Sequence, residues 1–273
     1  MVKKWADFAV EKNLDGINID IEHGIYGDQQ KTGILHFVDE LNQVMKLRIG
    51  PHAKLTYDVP YAPTTLACVT GRCLYWGKIA EKIDFLVQMA YDAQLRPLTS
   101  SATDPYERVV RGYWLYINEY GVDPSKMIQA VPWYGPIYYC DRLHKNSFDV
   151  CHSELWKKYQ IHATDGTNVN QSIFYWVNKG LEQGQPVVYD NYQRINKISV
   201  RDDEGGMRQV WFNNETSFNE RFEACSFEAK GGGLSSWWAH SLDYKTENLD
   251  VLKMNGKYWE VINNAVDKLD GLK

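Results

Sequence analysis

The sequence predicts an α/β protein built on a parallel sheet, with an α+β insertion before the final strand. Three observations predict this. Short apolar runs alternate with stretches of helical periodicity, the rhythm of βα units. Hydrophobic residues make up 44% and charged residues 24% of the 273 positions, a balance that supports a packed core and argues against wholesale disorder. Between Gly135 and about Glu215 the rhythm breaks, and strand-like and turn-like segments replace it.

Residues 2–13 read as an amphipathic helix, followed by the strand Leu14–Glu22. Ile34, Phe37, Val38, Leu41, Val44 and Met45 then recur at helical spacing across 29–47. Lys54–Val59 is a second strand and Asp84–Tyr91 a third. Asp104-Pro105 opens a helix as an N-cap followed by proline at the first helical position. Val110, Tyr113, Trp114 and Ile117 line its inner face, and Gly121 ends it. Met127–Trp133 is the fourth strand and Gly233–Trp238 the fifth, with helices at 217–229 and 255–269 beside the last. The segment 136–215 reads as an insertion. It holds a helix near 170–182 and a hairpin whose turn is Asp202-Asp203-Glu204-Gly205-Gly206.

Composition narrows the function. A formal charge of −5 disfavours a nucleic-acid binder, which needs a basic surface to displace counterions. No apolar run approaches the length of a membrane span. Ten Trp and 18 Tyr supply flat surfaces suited to ligands that are apolar on one face and polar at the edge, as sugars are. The five cysteines show no CxxC pair or zinc-like spacing, so no structural metal or other cofactor is expected. Cys68/Cys73 and Cys140/Cys151 each bracket a short loop and suit two local disulfides, while Cys225 reads as a buried thiol. Sequons at Asn170 and Asn214 suit a secreted or lysosomal glycoprotein. No signal peptide precedes the first helix, so either the chain is cytosolic or its native N-terminus lies upstream.

The most informative segment is Asp15–Glu22. Side chains alternate across a strand, so Ile17, Ile19 and Ile21 share one face and Asn18, Asp20 and Glu22 the other. With helices outside, the isoleucines pack beneath them, and the polar trio is expected to point into a barrel interior. Glu22 ends the strand, and barrel active sites are built at that C-terminal end. A half-exposed antiparallel strand with a wet face is the plainer reading, but it does not account for the flanking helices.

Asp15-Gly16-Ile17-Asn18-Ile19-Asp20-Ile21-Glu22 resembles the DGxDxDxE signature of glycoside hydrolase family 18, the chitinases. Met89-Ala90-Tyr91-Asp92 resembles its M-x-Y-D motif. Val131-Pro132-Trp133-Tyr134-Gly135 and Leu234-Ser235-Ser236-Trp237-Trp238 resemble its seventh and eighth strands. Asn18, where most chitinases carry Asp, and Leu242-Asp243-Tyr244 point to the chitobiase branch. The resemblance implies a (β/α)8 TIM-type barrel, here truncated to its last five strands, since the early strands and the S-x-G-G segment have no counterpart.

It also implies roles. Glu22 would be the general acid and later the base, and the substrate's own N-acetyl carbonyl would be the nucleophile, the exception to the two-carboxylate scheme. Asp20 would hold the acetamido group and raise the proton affinity of Glu22. Tyr91 would hydrogen-bond the acetamido oxygen beside Met89 and Asp92, and Asn18 would support Asp20. Trp237 would form the floor beneath the sugar, with Trp238 the alternative if the match shifts by one. Trp133 and Tyr134 read equally as packing or as subsite residues. The expected partner is a β-1,4-linked N-acetylglucosamine oligosaccharide, with neither nucleic acid nor membrane; the oligomeric state stays open. Two alternatives stand beside this hydrolase: a chitinase-like protein that binds sugar without turnover, or an inactive truncated product.

Overall fold

The computed structural model describes residues 2–93, 98–140, 151–162, 173–237 and 249–272. The chain divides into two compact units. The first comprises Met1–Met89, Val110–Gln129 and Cys225–Gly233; the second comprises Ala90–Val109, Ala130–Ala224 and Leu234–Lys273.

The first unit opens with α1 (Val2–Glu11), β1 (Gly16–Ile19), α2 (Gly27–Arg48) and β2 (Lys54–Val59). Two short helices, α3 (Thr65–Val69) and α4 (Trp76–Lys82), lead to β3 (Phe85–Met89). Strand β1 pairs in parallel with β2, and β2 in parallel with β3. Helix α5 (Tyr106–Asn118) then precedes β4 (Met127–Pro132), and the sheet runs β1-β2-β3-β4-β10, where β10 is Gly233–Trp237.

Alternation places the apolar residues as the sequence requires. Leu55, Tyr57 and Val59 of β2 are fully buried, together with Leu41 and Met45 of α2 and Trp76 and Ile79 of α4. Burial of one such side chain contributes roughly 1.5–3 kcal/mol. Helix α5 adds Tyr113, whose hydroxyl donates to the Met127 carbonyl, and Tyr116, whose hydroxyl donates to the Pro60 carbonyl. Gly16 is glycine for a reason visible here. A Cβ at this position would stand 2.2 Å from the Lys54 carbonyl oxygen, so no larger residue lets β1 approach β2.

Two expectations need correction. Strand β1 stops at Ile19, so Asp20 and Glu22 lie just beyond it. Asn18, Asp20 and Glu22 do alternate with the isoleucines, but all three are exposed rather than enclosed. The reason is topological: β1 is an edge strand with β2 on one side. Helix α5 begins at Tyr106, one residue later than an Asp104 cap predicts, and Asp104 is fully buried in the second unit. There its carboxylate forms an ion pair with the Arg221 Nε at 2.8 Å and accepts from the Asn213 side-chain amide at 3.0 Å.

The second unit contains an antiparallel sheet in the order β6-β5-β9-β8-β7. Its strands are β5 (Tyr134–Cys140), β6 (Ser153–His162), β7 (Val188–Asp190), β8 (Ile195–Arg201) and β9 (Met207–Phe212), with α6 (Ile173–Glu182) beside them. The expected turn joins β8 to β9; Asp202 caps it by accepting from the Glu204 and Gly206 amides. Helices α7 (Glu215–Phe222) and α8 (Leu249–Leu272) complete the unit. Both expected disulfides are present, Cys68–Cys73 in the first unit and Cys140–Cys151 in the second, and Cys225 is a buried free thiol.

Candidate active site

The expected site residues fall in both units. Asn18, Asp20, Glu22 and Met89 belong to the first, and Tyr91, Asp92, Trp133 and Trp237 to the second.

In the first unit, parallel pairing sets Asn18 opposite Thr56 and Ile19 opposite Tyr57. Asp20 and Asp58, the next residues on each chain segment, lie close enough for their charges to interact. The side chain of Asn18 bridges the two strands. Its amide nitrogen donates to the Asp58 carboxylate at 2.8 Å, and its carbonyl accepts from the Thr56 hydroxyl at 2.6 Å. Asp58 pairs with Val87 of β3, so Val87 and Met89 share the face of Asp58. Burial pushes the Asp58 carboxyl up to about 6, the Asn18 amide opposes this, and the charges of Asp20 and Glu22 add to the rise.

Glu22 is open to solvent, with 54% of its side chain exposed, and pairs with the Arg72 guanidinium at 3.2 Å. Arg72 is delivered by the loop that Cys68–Cys73 closes. The Gly71 carbonyl in this loop accepts from the Ile25 amide at 2.8 Å, three residues beyond Glu22. A Cβ at Gly71 would stand 2.5 Å from the Ile25 nitrogen, and its φ is +73°, so glycine alone permits the docking.

In the second unit, Asp92 takes a left-handed conformation with φ of +52°, a position that Asp tolerates better than most residues. Its carboxylate accepts from the Tyr134 hydroxyl and the Thr103 hydroxyl, both at 3.0 Å. The Tyr91 ring packs edge-on to Tyr134 at 6.1 Å. Burial, then the neighbouring Asp92 charge, raises the Tyr134 hydroxyl far above its ordinary range. Trp133 is 1% exposed and meets the rings of Tyr258 and Trp259 edge-on at 5.6 and 4.8 Å, so its surface is occupied by packing. Trp237 ends β10, but its side chain lies outside the described residues, as do Trp238 and Leu242-Asp243-Tyr244.

Known proteins resemble the chain over most of its length. A sequence model of the family described as glycosyl hydrolases family 18 matches residues 1–243. The chain belongs to family 18. Membership makes it a glycosidase by family. The di-N-acetylchitobiase of Mus musculus is 27% identical over 253 residues, covering 91% of this chain and 67% of the relative. That of Homo sapiens is 26% identical over 267 residues, covering 96% and 66%. The chain thus spans about two thirds of the length of the curated relatives it matches. The chitinase of Chromobacterium violaceum superposes with a TM-score of 0.69 at 15% identity, covering 97% of this chain and 70% of that one. A family 18 chitinase mutant from Cycas revoluta in complex with (GlcNAc)4 gives 0.71 at 14% identity, covering 97% and 72%. These likenesses show the family 18 fold, a TIM-type barrel frame.

Thr56, Asp58 and Arg72 escaped the sequence reading. The first two carried a faint signal, polar residues at alternate positions of a strand beside β1. Arg72 carried none, because a loop closure brings it to Glu22.

Proposed function

We propose that the chain performs retaining, substrate-assisted hydrolysis of β-1,4-linked N-acetylglucosamine oligosaccharides, in the manner of a chitobiase. The observation that carries this reading is the Asn18-Asp20-Glu22 face, with Glu22 open at the C-terminal end of β1 in a family 18 fold.

In this reading Glu22 gives its proton to the glycosidic oxygen as the bond to the anomeric carbon breaks. The acetamido carbonyl oxygen of the same sugar forms the new bond to that carbon, giving a cyclic oxazolinium. Asp20 orients the acetamido group and offsets its developing positive charge. Water then attacks the anomeric carbon, its proton passes to Glu22, and the ring opens with net retention. The family resemblance assigns Tyr91 to the acetamido oxygen, Met89 and Asp92 to the subsite, and Trp237 to the floor beneath the sugar. Trp133, which also packs against Tyr258 and Trp259, is the further subsite residue of this reading.

The finer fold reading belongs to the same proposal. The sheet β1-β2-β3-β4-β10 corresponds to the last five strands of eight, and residues 136–215 are an insertion among them; motif order supports both. A secreted or lysosomal setting is supported by the two disulfides, which persist in oxidising compartments.

The test is Glu22→Gln, which removes the transferable proton and keeps the shape. It is expected to abolish release from a chromogenic N-acetylglucosamine oligomer while binding of the oligomer persists. Undiminished turnover in this variant would overturn the assignment.

A further inference from the structure

Asn18 cannot hold a charge or share a proton with Asp20, yet it stands at the centre of the polar face. Its value lies in what it joins. The Thr56 hydroxyl fixes its carbonyl end at 2.6 Å, and the Asp58 carboxylate fixes its nitrogen end at 2.8 Å. With both ends held, the side-chain amide has one orientation, and it ties Asp58 to β1 two residues before Asp20. We propose that Asp58 is a positioning residue for the Asp20–Glu22 pair, acting through Asn18 and through its own charge across the strand.

The electrostatics of the face agree with the geometry. Asp58 is partly desolvated, and Asp20 and Glu22 both disfavour its ionisation. The groups facing it are Asn18, Asp20 and Glu22 from β1 and the residues after it, Arg72 as the cation paired to Glu22, and apolar Val87 and Met89 from β3. Tyr57, the preceding residue, lies on the opposite, buried face of β2. Its hydroxyl is raised far above the ordinary range, first by burial and then by Asp20, so it stays neutral throughout the working range. Asp58 is therefore the additional carboxyl that can exchange a proton on this face near pH 6.

This inference rests on the proposed active site, and two readouts separate its failure from failure of that reading. The first needs no turnover. Carbon-13 carboxyl NMR, with Asp58 assigned through Asp58→Asn, is expected to show it titrating near pH 6. The midpoint should fall in the Asp20→Asn/Glu22→Gln double variant, which removes the like charges. A midpoint in the ordinary range near 4, or one unmoved in the double variant, would overturn the proposal.

The second readout is the pH profile of kcat/KM on an N-acetylglucosamine oligomer. Asp58→Asn is expected to lower kcat on the order of 10–100-fold with KM little changed, because Asp58 positions without touching sugar. Thr56→Val, which frees the other end of Asn18 and keeps all charges, should likewise lower kcat with KM little changed. It also decides the matter if Asp58→Asn folds poorly. A profile for Asp58→Asn overlying the wild type, or full kcat in Thr56→Val, would refute the role while leaving the hydrolase reading intact. Absence of turnover in the wild-type chain would count against that reading, and the NMR titration would still decide for or against Asp58.

Discussion

Asp20 decides between two chemistries. A covalent carboxylate nucleophile must approach the anomeric carbon from the face opposite the acid. In the proposed mechanism Asp20 and Glu22, which alternate with the isoleucines in the sequence, approach the sugar from one side. Asp20→Asn keeps the size and a hydrogen-bonding group but removes the charge. It is expected to lower kcat by roughly 10²–10³, the loss typical of one preorganised electrostatic contact. Incubation with a slow fluorinated substrate should leave the peptide spanning 14–22 unmodified, and a thiazoline mimic of the oxazolinium should inhibit. A glycosylated Asp20 would reverse the mechanism. Asp20 and Glu22 were legible because one alternating strand and its extension carry both. Asp58 was not, because only the register between two strands makes it their neighbour.

Among the elements, β2 is tied to its surroundings by Asp84, the residue before β3. Its carboxylate accepts from the Leu55 amide and the Lys54 ammonium, both at 3.0 Å, and faces Lys46 of α2 at 3.7 Å. Burial alone would push this carboxyl up, but the Leu55 amide and the two lysines hold it below its ordinary value. Ionised Asp84 therefore stabilises the fold above about pH 4, and that contribution is lost as the pH falls below it. Asp84→Ala is expected to cost roughly 1–3 kcal/mol at pH 7, through the unpaired Leu55 amide and lost ion pairs. Urea denaturation should show the gap between variant and wild type closing toward pH 3; a constant gap would contradict this. The elements legible in sequence were those with a clean period, such as α2 and β2. Strand β5 was missed because its first five residues are buried without alternation and include Gly135 and Pro136. Helices α3 and α4, at five and seven residues, are too short for a helical period to register.

At the scale of the whole molecule, the two units are held by different physics. The first has an apolar core around Leu55, Tyr57 and Trp76. In the second, the fully buried Arg221 gathers the chain. It pairs with Asp104 and donates to the carbonyls of Arg194, Ser217, Gln193 and Asp104. Burial pushes the Asp104 carboxyl up, and Arg221 and Asn213 oppose it. Arg221→Ala is expected to destabilise by about 3–5 kcal/mol, because it strands a buried carboxylate and several carbonyls. Calorimetry showing less than about 1 kcal/mol would mean that water takes its place. Nothing in the sequence marked this arginine, since all its partners but Ser217 lie far away along the chain.

The small loop closed by Cys68 and Cys73 has a practical consequence. A ring this short restrains the unfolded chain by only about 2 kcal/mol, so global stability is a poor reason for it. What it does hold is the guanidinium opposite Glu22. The choice of production host thereby becomes a biochemical variable. A bacterial cytosol would deliver well-folded material whose Arg72 is on a longer tether, whereas periplasmic or secretory expression would deliver the closed loop. Preparations from the two hosts would then differ in turnover as well as in melting, and a thiol count on the purified protein should accompany every rate.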